Sequence, residues 1–283
     1  MSAKVAVRCI ALASALALAA CAGAARERQG ISPVHRVVTL MPSFAQDLCA
    51  MGSGGLIVGV SEYGNSATCA PRAPAIANFS SVNVEKIIAL RPDLVVGIPA
   101  QRRLTAPLER AGIRTVFLSD DSYGDLFRNI AEIGRLTGST QSASDLIARL
   151  RSRTNRLRAS EHFTKRPSVF VVLQAQPVWT VGPQSYISTL LELAGARNAV
   201  TRLPRAYAQY NTEALVDLQP DAIVAGSDTQ LTALLDREPW RSLRAVRQKH
   251  VYVLQDPGVL ERPGPNYNEG LSWLIEHLRP LSK

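Results

Sequence analysis

Histidine, cysteine and carboxylate side chains are where chemistry would have to start, and their spacing argues against most of it. His35, His162, His250 and His277 stand far apart, with no His-Glu-x-x-His and no Cys-x-x-Cys. A metal site built from sequence-local ligands is not indicated. No Gly-x-Ser-x-Gly elbow, phosphate loop or Gly-x-Gly-x-x-Gly fingerprint occurs. Gly52-Ser-Gly54-Gly55 joins a helix to a strand, the reverse of the order a dinucleotide site needs, and reads as a helix stop and turn. No basic array interleaved with aromatics suggests nucleic acid. Asp256 and Glu261 are the carboxylates that could converge as an acid–base pair. Beyond them nothing supports catalysis, so the chain reads as no enzyme, with no catalytic residue, cofactor or metal.

Two other glutamates are informative because they recur. Asn83-Val-Glu85-Lys-Ile-Ile-Ala-Leu90-Arg-Pro92-Asp93-Leu-Val-Val96 echoes Asn211-Thr-Glu213-Ala-Leu-Val-Asp-Leu218-Gln-Pro220-Asp221-Ala-Ile-Val224, with six of fourteen positions identical. In each copy Asn caps a short helix and Glu sits in its first turn, where the helix dipole favours it. Proline then ends the helix and a buried apolar strand follows.

The surrounding elements extend the echo. Val34–Leu40 reads as a strand, Pro42 to about Met51 as a helix, and Leu56–Val60 as a second strand. Thr39-Leu-Met-Pro42-Ser43 with its helix is similar to Thr180-Val-Gly-Pro183-Gln-Ser185 with the helix after it. Ile113–Leu118 and Val251–Leu254 correspond as late strands. The pattern predicts two α/β lobes, 34–138 and 164–283, each with a mostly parallel sheet. Between them, 139–163 carries Leu146, Ile147, Leu150 and Leu157 at helical spacing and arginines on its other faces. One long linker helix of about 36 Å follows.

The start of the chain is a different kind of segment. Lys4 and Arg8 precede an apolar run from Cys9 to Ala20, which reads as an export signal over residues 1–20. It is too short to span a bilayer. Leu18-Ala-Ala-Cys21 fits a lipidation site at Cys21; Ala22-Gly-Ala24 fits ordinary cleavage. Residues 21–33 read as a tether. Loss of Lys4 and Arg8 takes the net charge from +9 to +7, with no basic tract. Cys49 and Cys69 remain as an even pair, open to a disulfide or to two buried thiols.

Taken together, two α/β lobes, one joining helix and an export signal resemble the class III, helical-linker solute-binding proteins of ABC importers. The segments carrying the resemblance are Arg36-Val-Val-Thr-Leu-Met-Pro-Ser43, Val58-Gly-Val-Ser-Glu-Tyr63 and Asn83–Val96. It implies two Rossmann-like lobes with a ligand cleft between them, at the loops leaving the strands. It also implies an exported, periplasmic or envelope-held monomer that presents a cobalamin-type corrinoid, ferric siderophore or haem to importer membrane subunits. Residue by residue, it implies docking by Glu85 and Glu213, and ligand contacts from Tyr63, Phe79, Trp179, Tyr207, Asp256 and Arg262. It places Cys49 and Cys69 where a disulfide would tie the first helix to the Tyr63 loop. The bland alternatives are helix-dipole carboxylates and packed aromatics, the latter strongest for Trp179. The chain departs from the family in a longer Asp256–Arg262 loop, and in Asn78 and Phe79 where haem binders place a ligating tyrosine. An exported enzyme on this scaffold and a non-transporting lipoprotein are the competing readings.

Overall fold

The structure is a computed structural model that describes residues 34–62, 69–78, 81–159 and 164–281. The first half comprises strand β1 (Val37–Thr39), helix α1 (Pro42–Ala50), β2 (Ile57–Ser61) and β3 (Ala75–Ala77). Then come α2 (Val84–Ala89), β4 (Leu94–Gly97), α3 (Arg102–Arg110), β5 (Thr115–Phe117) and α4 (Tyr123–Leu136). Its strands form one parallel sheet, β3-β2-β1-β4-β5. Strands buried on both faces carry continuous apolar runs, as Val37-Val38 and Leu94-Val95-Val96 do.

Helix α5 (Thr140–Ala159) leads to β6 (Ser168–Val172), β7 (Gln174–Ala175), β8 (Val178–Val181), α6 (Tyr186–Leu193) and β9 (Arg197–Asn198). The chain continues through β10 (Tyr207–Gln209), α7 (Thr212–Leu218), β11 (Ala222–Gly226) and α8 (Arg244–Arg247). It ends with β12 (Val251–Leu254), α9 (Gly258–Glu261) and α10 (Tyr267–Leu278). A second parallel sheet has the order β12-β11-β6-β9, and a small antiparallel sheet has the order β10-β8-β7. Read from the other edge, β9-β6-β11-β12 repeats the connectivity of β2-β1-β4-β5.

The sequence repeat has a structural cause. Asn83 Oδ1 accepts from Lys86 N at 2.9 Å, and Asn211 Oδ1 accepts from Glu213 N at 2.7 Å, so each caps its helix. The residue before each proline, Arg91 or Gln219, is left-handed at φ 46° or 43° and turns the chain into the strand. Asp93 Oδ2 accepts from Arg36 N at 2.9 Å, and Asp221 Oδ2 accepts from Ser168 N at 2.8 Å. Each aspartate therefore fastens the start of the neighbouring central strand.

One expected equivalence fails. Thr180 and Val181 belong to antiparallel β8, whereas the counterpart of β1 is β6, by its pairing with β11 and β9. A β7–β8 hairpin stands between β6 and its helix. The Pro42-Ser43 and Pro183-Gln-Ser185 segments mark only the starts of α1 and α6.

The linker helix runs over Thr140–Ala159 among the described residues. Its 20 residues extend about 30 Å, and residues 160–163 lie outside the described ones. It buries Ala143, Leu146, Leu150 and Thr154; Ile147 and Leu157 are partly buried, and Arg149, Arg151, Arg153, Arg156 and Arg158 are exposed. It packs on α4, which buries Leu126, Phe127, Ile130, Ile133 and Leu136. Burying each of these is worth roughly 1.5–3 kcal/mol. A Cβ at Gly134 would lie 2.5 Å from that of Ala143, so glycine permits this close approach.

Candidate functional site

Parallel strands all end at one edge of their sheet, and the loops leaving them form its crevice. The two sheets face each other across such crevices, and a cavity of about 520 Å³ lies there. Met41, Pro42 and Ser43 enter it from the end of β1, Ile98 from β4, and Asp120 and Asp121 from beyond β5. Opposite them, Leu173 follows β6, Asp228 follows β11, Tyr207 lies in β10, and Pro257, Gly258, Glu261, Arg262 and Pro263 follow β12. The volume lies within the range of small-molecule sites, about 300–1,000 Å³.

The wall is acidic. Burial, then repulsion from Asp121, pushes the Asp120 carboxyl up to about 7. Burial, then Asp228, pushes Glu261 up to about 7, against the pull of Arg262. Burial, then Asp120 and Asp121, raises the Tyr207 phenol well above its ordinary range, so it stays a hydroxyl donor. Ser43 is 2% exposed, and its hydroxyl makes no hydrogen bond within the protein. One helical turn deeper, Asp47 is fully buried with both oxygens unpartnered, and burial holds its carboxyl well above the usual range.

Of the expected ligand contacts, the structure brings Tyr207 and Arg262 together on this wall. Trp179 is 38% exposed on β8 and lines no part of the cavity. It shares a sheet face with Tyr207, because it opposes Gln209, two residues along β10. Asp256 is also off the wall; its carboxylate accepts from Gly258 N at 3.0 Å and so holds the start of α9. The long Asp256–Arg262 loop folds into that one-turn helix. A Cβ on Gly258 would lie 2.6 Å from the Arg262 guanidinium, so this side chain crosses directly over the glycine. Tyr63, Phe79 and Cys21 lie outside the described residues. Asp120, Asp121, Asp228 and Ser43 were missed, although each lies within four residues of the end of a strand, where ligand loops belong.

Several residues fall elsewhere. Glu85 and Glu213 are exposed, each the second residue of its helix. Both helices run back toward the amino ends of the strands, so both glutamates stand at the edge where the cavity opens. Cys49 and Cys69 form a disulfide with Cα atoms 5.6 Å apart, closing the loop that contains Tyr63. His250 Nδ1 lies 3.1 Å from the Asp221 carbonyl, and the His277 ring stacks on Trp273 at 4.1 Å. Among the described residues, no group of three or more His, Cys, Asp or Glu side chains could hold a metal, and no helix is long and apolar enough to cross a membrane.

Comparison with known sequences agrees with this geometry. Residues 37–257 match the periplasmic binding protein family. The chain belongs to that family. An ABC transporter substrate-binding lipoprotein of Bacillus subtilis is 29% identical over 254 residues, covering 87% of this chain and 80% of the relative. A vitamin B12-binding protein of Vibrio parahaemolyticus is 24% identical over 257 residues, covering 89% and 92%. Among solved structures, the periplasmic vitamin B12 binding protein of Vibrio cholerae superposes with a TM-score of 0.76 at 24% identity, covering 89% of this chain and 99% of that one. A periplasmic haem-binding protein of Pseudomonas aeruginosa superposes at 0.77 with 27% identity, covering 88% and 94%. These neighbours carry the class III fold, with mostly parallel sheets in two lobes and a joining helix. The family comprises substrate-binding proteins of transport systems rather than enzymes.

Proposed function

We propose that this protein captures a corrinoid of the cobalamin type between its two sheets and hands it to the membrane subunits of an ABC importer. The observation that carries this is the cavity itself. It lies at the carboxyl edges of both parallel sheets, with Tyr207 and Arg262 on its wall and exposed Trp179 on the same small sheet face. A ligand wider than the cavity extends over its mouth, where flat rings bury much area at low entropic cost. No catalytic set is used in this reading.

Glu85 and Glu213 act as paired docking carboxylates. They are exposed, equivalent in the two halves, and on the edge where ligand leaves. Two like charges related by an internal repeat suit a partner with two-fold symmetry. The protein is exported and held at the envelope by lipid on Cys21. This rests on the Leu18-Ala-Ala-Cys21 pattern and on the lipoprotein relative.

A second reading takes a ferric siderophore or haem, favoured by the haem-binding structural neighbour. Tyr207 on the cavity wall is the side chain that would ligate haem iron in that reading. Isothermal titration with cyanocobalamin, haemin and a ferric hydroxamate separates these readings. Micromolar or tighter binding of the corrinoid alone supports the first. No heat of binding from any of the three would overturn both.

A further inference from the structure

The charge of the cavity is opposite to that of the chain. The chain carries a net +9, yet the charged side chains lining the cavity are Asp120, Asp121, Asp228, Glu261 and one cation, Arg262. None of the four carboxyls takes part in an ion pair among the described residues. They come from three separate loops on both sides of the crevice, so no single turn explains them. Ser43, nine-tenths buried and without a hydrogen bond, faces the same space. Asp121 and Asp228 are exposed and Asp120 and Glu261 half-buried, so the group left buried and unpaired at this wall is the Ser43 hydroxyl, and a bound ligand is what could supply its partner.

We infer that this cleft is built for a ligand whose periphery presents hydrogen-bond donors or positive charge, such as carboxamides or ammonium groups, and that it rejects ligands edged with carboxylates. The inference rests on the binding role proposed above and assigns the selecting residues, Asp120, Asp121, Asp228 and Glu261. A carboxamide N–H satisfies a carboxylate without adding charge. A ligand carboxylate in the same place adds a like charge to a wall that already gathers four acids. Arg262 can neutralise one such group, not several.

Matched probes test this. Dicyanocobinamide carries carboxamides around its corrin ring, and dicyanocobyrinic acid carries carboxylic acids on the same ring. Ferrioxamine B, a cationic hydroxamate chelate, and ferric citrate form a second pair. Equilibrium titrations at about pH 8.5, above the values near 7 of Asp120 and Glu261, should show the amide or cationic member of the binding pair favoured by about 30-fold or more. In the Asp120→Asn/Glu261→Gln double variant that ratio should fall to within about threefold, with thermal melting confirming that it is folded. Equal affinities in the wild type, or preference for the acid member, would overturn the inference and leave the binding role standing. Binding of none of the four would remove the corrinoid and siderophore readings and the inference together.

Discussion

Tyr123 and Tyr267 meet hydroxyl to hydroxyl at 3.1 Å, one from α4 of the first half and the other from α10 at the end of the second. The Tyr267 hydroxyl also lies 2.6 Å from Thr154 Oγ1 on the linker helix, whose hydroxyl donates to Asn268 Oδ1 at 2.9 Å. Three helices from both halves and the linker are thus joined at one buried point. Tyr267→Phe keeps the ring, which packs edge-on against Tyr123 with centroids 5.5 Å apart, and removes the hydroxyl. It should cost about 1–3 kcal/mol, read as a lowered urea midpoint with an unchanged slope. An unchanged midpoint would show that the node contributes nothing.

Charge reversal at the repeated glutamates separates docking from folding. Glu85→Lys with Glu213→Lys should abolish uptake in a reconstituted importer assay while leaving ligand affinity unchanged. Each substitution places the wrong charge at a helix start, so stability should fall by about 0.3–1 kcal/mol per site. Uptake equal to wild type would assign both residues to helix ends alone.

The acidic wall gives stability a pH dependence with a definite sign. Asp120 and Glu261 are each raised from about 4 to about 7 by burial and neighbouring acids. Between those values the folded chain holds protons that the unfolded chain has released. Their contribution is therefore full below about pH 4 and is lost as pH rises to about 7. Melting temperatures of the wild type and of Asp120→Asn/Glu261→Gln should diverge in the variant's favour from about pH 5 to about pH 8. Parallel curves would refute the shifts. Asp125 and Asp221, which are lowered by their hydrogen bonds, are common to both proteins and cancel.

What could be read from the sequence was what repeats or has a period. The Asn-x-Glu…Pro-Asp segments fixed two helices and two central strands, because Asn83, Asn211, Asp93 and Asp221 each act on backbone a few residues away or at one neighbouring strand. The β7–β8 hairpin was missed because β8 is short and its Pro183-x-Ser185 ending imitates a strand-to-helix turn. The acidic wall was missed for a different reason. Asp120, Asp228 and Glu261 are far apart in the chain, and only the meeting of two sheets makes them one surface. The resemblance pointed to Tyr207 and Arg262, which line the cavity, whereas the burial of Asp47 has no sequence signal, since α1 buries nearly every residue rather than one stripe.

The Cys49–Cys69 bond closes a loop with a sequence separation of 20. On chain-entropy grounds its reduction should cost about 3 kcal/mol. Melting with and without dithiothreitol measures this, with Cys49→Ala/Cys69→Ala as the reagent-free control. Identical melting of oxidised and reduced protein would show that the bond constrains nothing.

The central claim is that ligand sits between the sheets against Tyr207 and Arg262. Titration of cyanocobalamin into the wild type and into Tyr207→Ala and Arg262→Ala tests it most directly. The account predicts one site per chain in the wild type and affinity weakened about tenfold or more in each variant, with both variants folded. Cyanocobalamin binding that neither substitution weakens would place the ligand elsewhere and contradict the account.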